Sequence, residues 1–189
     1  MWKNITRLIC MVCAITLTFS CSHSEKSKYL SMCSRAINIS TEHMLKINPN
    51  RRIYQDWCDD EKSYHFIIYF DSLRCATCEI NKLNEWHKLL LDIYSDYYDI
   101  KCIIIFSPQK QKIQSVVQSI YNSSFGHTIY IDTLGVFARS NPNIPADIRF
   151  HTFLLDEKEN VIFIGNPCSN KKLQDTFFQV IRSHKKKKV

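Results

Sequence analysis

A chain of 189 residues, 45% hydrophobic and 12% aromatic, is long and apolar enough for one domain with a true core plus short extensions, which excludes wholesale disorder. Three glycines and five prolines are too few for a sandwich built from many tight turns. The formal charge of +7 does not mark a nucleic-acid binder: Lys3 and Arg7 lie near one end, Lys185 to Lys188 form a run at the other, and the body between is close to neutral, with no basic stripe interleaved with aromatics.

The chain opens with MWKNITRLICMVCAITLTFSC: two cations, an apolar run from Leu8 to Phe19, then Ser20 and Cys21. A short positive region, an apolar stretch too short to span a bilayer comfortably, and a small residue at the break describe a secretory signal over residues 1–20. A cysteine directly after Ser20 resembles the lipobox of bacterial lipoproteins, which implies acylation of Cys21 as the mature N-terminus. The departures are Leu17, one place further from the cysteine than usual, and the bulky Phe19; an ordinary signal peptide or an uncleaved anchor is the alternative. Export would take the domain to an oxidising compartment where disulfides persist. Residues 21–59 then read as a polar tether and an N-terminal extension without a clean period, and Pro49-Asn50 marks a turn.

From Tyr64 the pattern is clear. YHFIIYF and IKCIIIF are short, nearly continuous apolar runs, as expected of strands buried on both faces. Between them Ile80, Leu83, Trp86, Leu90, Ile93 and Tyr97 recur at helical spacing. QKQKIQSVVQSIYN repeats that period, HTIYID predicts an edge or intermediate strand, and LGVFARSNPNIPADI predicts a turn of helix and a proline-punctuated loop. RFHTFLLDEKENVIFIGNP predicts a hairpin turning at Asp156 to Asn160, and KKLQDTFFQVIRSH an amphipathic final helix. The alternation implies an α/β fold, a mixed central sheet with helices on both faces. Residues 185–189 form a basic tail, read as a solvated end, with attraction to anionic lipid as the alternative.

DSLRCATCEINKL places Cys75 and Cys78 at the junction of the first strand and its helix. Unpaired N–H groups and the helix dipole favour negative charge there, which makes Cys75 the nucleophilic thiolate. Cys78, one turn on, lies within disulfide reach and would resolve a mixed disulfide. Arg74 would add positive potential, unless its side chain points to solvent.

The strand, the D-S-x-x-C-x-x-C loop, the long helix and the later F-H-T-F-L-L-D…G-N-P hairpin resemble the thioredoxin fold, a three-layer α/β sandwich, over roughly residues 60 to 182. The nearest kind is the TlpA-like, membrane-anchored thiol-disulfide oxidoreductase group, including thioredoxin-like lipoproteins of Gram-negative envelopes. The resemblance implies a thioredoxin-like domain over 60–184 and a redox-active Cys75–Cys78 disulfide with no other cofactor. It also implies envelope proteins with disulfides as partners, a membrane electron donor for recycling, and a lipid-anchored domain facing the periplasm.

Three departures from the family matter. Arg74 and Ala76-Thr77 replace its usual Trp and Gly-Pro; Tyr69 stands where thioredoxins carry a buried acid, leaving Asp71 as the nearest carboxylate along the chain. His151 stands where the family has a cis-proline, so a trans bond or a shifted loop is expected. His151 followed by Thr152 is similar to the His-Ser/Thr pair of Sco-type copper chaperones. Cys75, Cys78 and His151 would then form a Cys-Cys-His copper set, the alternative to exchange chemistry. A non-catalytic thioredoxin-like binding module with a permanent disulfide is the third reading.

Of the remaining cysteines, Cys102 reads as an inert core thiol and Cys168 as incidental. Cys33 with Cys58 is the natural guess if a structural disulfide exists, although pairing does not follow from spacing. Trp86 is expected in the core, and His65 and His127 have no arrangement that calls for a ligand role.

Overall fold

The structure, a computed structural model, describes residues 24–48, 64–97 and 99–186. The region read as a secretory signal, Cys21, Cys58 and residues 187–189 lie outside the described residues.

The two apolar runs are strands β2 (Tyr64–Phe70) and β3 (Ile100–Phe106), paired in parallel with Phe66 beside Cys102 and Phe70 beside Phe106. Their continuous hydrophobicity has the cause expected: side chains alternate between two covered faces. Phe66, Ile68, Phe70, Cys102, Ile104 and Phe106 enter one core, whereas Ile67, Tyr69, Ile103 and Ile105 enter another. The first core is closed by α3 (Asn84–Asp96), α4 (Ile113–Asn122) and α6 (Lys171–Lys186), through Trp86, Leu90, Val116, Ile120 and Phe177. The second is closed by Phe137 of the short α5 (Val136–Ser140), by Phe150, and by Met32 and Ile37.

Six strands among the described residues form one mixed sheet in the order β1 (Leu45–Ile47), β4 (Ile129–Ile131), β3, β2, β5 (Thr152–Leu155), β6 (Val161–Ile164). Strand β4 runs parallel to β3, while β5 and β6 form the expected hairpin, antiparallel to β2. The hairpin turn is held by Asp156, whose Oδ1 accepts from the N–H groups of Lys158 and Asn160, both at 2.9 Å. At the start of α5, Gly135 takes a left-handed φ of 64°. The buried Asp132 carboxylate there accepts from the N–H groups of Val136 (2.9 Å) and Phe137 (2.8 Å). No helix among the described residues is long and apolar enough to cross a membrane.

The described part of the extension expected over 21–59 takes regular structure. Residues 24–32 form helix α1, and residues 45–47 form β1 (Leu45–Ile47), antiparallel to the outer edge of β4. Met32 and Ile37 are fully buried. Asn141 clasps the same segment: its Oδ1 accepts from Asn38 N–H (2.7 Å) and its Nδ2 donates to Asn38 O (2.9 Å). The helix escaped notice because most of its face is exposed and its burial rests on Met32, so no apolar period exists to read. With β1 outside it, β4 is an interior strand.

Two boundaries also move. The helix expected after the cysteines divides into α2 (Ala76–Asn81) and α3, because Lys82, Leu83, Glu85 and Trp86 donate to carbonyls three residues back, tightening the chain into 3₁₀ turns. At the other end Lys185 and Lys186 continue α6 rather than belonging to a frayed tail.

Candidate active site

The register that pairs Ile68 with Thr152 brings the start of β5 to the top of β2, beside the loop 71–75. Tyr69 N–H donates to His151 O at 2.9 Å. In that loop Asp71 Oδ1 accepts from Leu73 N–H (3.1 Å), so the acid bends its own chain back toward the helix start. Cys75 is the cap residue of α2, with extended backbone (φ −71°, ψ 93°), and its carbonyl accepts the first helical hydrogen bond, from Glu79 N–H at 3.0 Å.

Cys75 and Cys78 are joined as a disulfide, their Cα atoms 5.3 Å apart, and both are exposed. Cys75 Sγ lies 3.5 Å from Thr77 Oγ1. Arg74 does not reach freely into solvent. Its guanidinium pairs with Glu79 at 3.0 Å and lies over the Phe70 ring, 5.0 Å from the centroid. The positive charge expected beside Cys75 is therefore partly neutralised by a carboxylate one residue past Cys78.

His151 is 2% exposed. Its Nε2 lies 2.9 Å from Pro145 O, and its Nδ1 faces Asp71 at 3.9 Å. Burial holds its pKa below the ordinary value, so the ring is neutral and Nε2–H donates to the carbonyl. No peptide bond among the described residues is cis, so the bond before His151 is trans. Thr152 is buried, and its carbonyl accepts from Gly165 N–H at 2.8 Å, a structural role. Tyr69 packs on Phe137 (4.9 Å) and His151 (5.1 Å), and burial pushes its phenol up to about 12, so it exchanges no proton near neutral pH.

The Cys75, Cys78 and His151 set considered as a copper site is not assembled. The two sulfurs are bonded to each other, and His151 gives its Nε2 to Pro145. No group of three His, Cys, Asp or Glu among the described residues could hold a metal ion.

Two cavities flank the loop, and Leu73, 80% exposed, lines both. One, about 350 Å³, holds Asp71, Pro145 and His151. The other, about 330 Å³, holds Cys75 and runs to Pro108, Gln109 and Lys112 before α4. Sequence reasoning missed that second wall, because SPQK carries no pattern beyond a loop. It also missed the Arg74–Glu79 pair, whose only signal was an acid directly after Cys78.

Trp86 and Cys102 are buried; Cys33 is exposed with a free thiol. Cys168 is a half-buried free thiol, its Sγ 3.7 Å from Glu85 O, and burial pushes its pKa up to about 11. His127 has a neighbour that sequence did not reveal: its Nε2 lies 3.4 Å from His87 Nδ1.

No protein-family model and no curated protein matches the chain. Among the solved structures similar to it at low identity are the following three. One is an uncharacterized thioredoxin-like protein from Porphyromonas gingivalis (16% identity, 69% of this chain and 78% of that chain, TM-score 0.42). Another is a domain of a possible thiol-disulfide isomerase from Cytophaga hutchinsonii (14% identity, 80% of this chain and 99% of that chain, TM-score 0.44). The third is a conserved protein of unknown function from Bacteroides fragilis (16% identity, 62% of this chain and 81% of that chain, TM-score 0.41). The strand order, the antiparallel β5–β6 hairpin and the position of the cysteine pair between β2 and α2 make the fold thioredoxin-like. It is a thioredoxin-like domain carrying an exposed Cys75–Cys78 disulfide.

Proposed function

We propose that the protein performs thiol-disulfide exchange through Cys75 and Cys78. The observation that carries this reading is an exposed disulfide at the first turn of a helix, beside a cavity that Cys75 itself lines. In the reduced protein the unpaired N–H groups of α2 favour a thiolate at Cys75. That thiolate attacks one sulfur of a substrate disulfide, forms the mixed disulfide and releases one substrate thiolate. Cys78 then attacks Cys75 Sγ, the second substrate thiolate leaves, and the Cys75–Cys78 disulfide forms. Two electrons pass from the protein to the substrate; run in reverse, the same steps oxidise it.

The setting belongs to the same proposal: Cys21 acylated, the domain tethered to a bacterial envelope membrane and facing the periplasm, and a membrane dithiol donor reducing the pair again. Its support is the sequence of the first 21 residues. The substrates are envelope proteins with disulfides.

A redox titration of the purified chain against thiol buffers, read by alkylation of Cys75 and Cys78, tests the chemistry. The expected result is reversible two-electron reduction between about −120 and −270 mV, the range of exchange catalysts. A pair that stays oxidised below about −300 mV is a structural staple, which would make the domain a binding module.

A further inference from the structure

Among the residues that line the Cys75 cavity, the charged ones are Arg74 and Lys112, and no carboxylate is present. Arg74 is paired with Glu79, whereas Lys112 is exposed and has no ion-pair partner among the described residues. Lys110, in the same 3₁₀ turn (Lys110–Lys112), adds a second cation nearby. The cavity on the other side of Leu73 has the opposite character, holding the Asp71 carboxylate and a neutral His151 and neither cysteine. The two sides of the loop therefore differ in sign, and the reactive sulfur lies on the positive side.

From this asymmetry we infer that Lys112 is a specificity residue. It selects an extended peptide segment with an acidic residue beside its disulfide-bonded cysteine. The inference rests on the exchange reading above and names its substrate class. The segment enters between the 72–77 loop and the start of α4, its cysteine against Cys75 and its apolar neighbours against Leu73 and Pro108. Its carboxylate approaches Lys112 Nζ. A cavity of about 330 Å³ suits a few residues of open chain. The ion pair adds affinity in the mixed-disulfide complex for an acidic neighbour over a basic one, so it acts on the choice of substrate.

The test compares three disulfide peptides, identical except for Asp, Ala or Lys next to the cysteine, reduced at low ionic strength by the full chain in a non-ionic detergent. The wild-type protein reduces the Asp peptide about two- to fivefold faster than the Lys peptide, the range of one exposed ion pair. Lys112→Glu reverses that order once each rate is divided by the same protein's Ala-peptide rate, which corrects for any change in Cys75 reactivity; Lys158→Glu, on the exposed hairpin turn, leaves the order as it was. Salt of about 1 M erases the preference in the wild type. An order unaffected by Lys112→Glu, or a wild type that prefers the Lys peptide, overturns the assignment while leaving exchange intact. Failure of the wild type to reduce the Ala peptide refutes the exchange reading itself and this inference with it.

Discussion

Arg74 and Glu79 close an ion pair at 3.0 Å across the disulfide, from the residue before Cys75 to the residue after Cys78. Both side chains are largely shielded, at 24% and 17% exposure. The pair offsets the positive potential that Arg74 alone would lend a thiolate. Glu79→Gln therefore speeds alkylation of reduced Cys75 at pH 7 by about two- to fivefold, the effect of one nearby charge at an effective dielectric between protein and water. The reduction potential rises with it, because the reduced form gains stability. An unchanged or slower alkylation rate would place the carboxylate's influence elsewhere.

His151 supports the loop rather than the sulfur. Its Nε2–H donates to Pro145 O, its own carbonyl accepts from Tyr69 N–H, and it lines the cavity that holds neither cysteine. His151→Ala is expected to cost about 2–4 kcal/mol, from a lost ring in a packed site and an unpaired carbonyl. Peptide reduction by the protein that remains folded should stay within about twofold. Urea unfolding and a rate measured below the transition decide it. A stable variant with a rate lowered tenfold or more would make His151 a partner of the thiolate instead.

Asn141, 1% exposed, ties α1 and its following segment to the loop after α5 through two bonds to Asn38 and one to Phe137 O (2.9 Å). Asn141→Ala leaves buried backbone groups unpaired and should destabilise by about 2–3 kcal/mol. Hydrogen exchange should quicken over residues 24–48 while β2 and β3 keep their protection. Equal protection in both proteins would mean that the burial of Met32 and Ile37 holds the segment alone.

Acid should weaken the fold through buried histidines. Burial, with the positive neighbours Lys101 and His87 respectively, lowers His65 and His127 to about 4; burial lowers His151 as well. The folded state binds these protons less tightly than the unfolded chain, so stability is constant above the ordinary 6.5 and falls between about 6.5 and 4. His127, 2% exposed, alone accounts for about 3 kcal/mol over that window. Asp147, held below its usual range by Arg149 and Lys28, adds a further loss only at lower pH, under its ordinary 3.8. Urea midpoints at pH 7 and pH 4.5 measure the drop, and His127→Phe should reduce it. A flat profile across that window would contradict the buried-histidine account.

Much of this architecture was legible in the residues. YHFIIYF and IKCIIIF read as buried strands because both faces are covered, and the β5–β6 turn announced itself in Asp156 and Asn160. The cysteine pair was legible by position, since a strand ends at Phe70 and a helix begins at Ala76. What escaped was held together by contacts distant in sequence. Helix α1 and β1 are anchored chiefly by Met32, Ile37 and Ile47, too few for a period, and by Asn141 more than a hundred positions away. The direction of His151 depends on Pro145, and the wall opposite Cys75 on Pro108 and Lys112. No local pattern encodes either.

Attack by Cys75 and resolution by Cys78 pass through a mixed disulfide, and trapping that intermediate separates the two roles. Cys78→Ser and Cys75→Ser variants are incubated, reduced, with a disulfide peptide, and the adducts are mapped by mass spectrometry. Cys78→Ser is expected to accumulate a mixed disulfide on Cys75, while Cys75→Ser yields little. Equal adducts on both variants, or adducts carried mainly by the free thiols of Cys33 and Cys168, would contradict that division of roles.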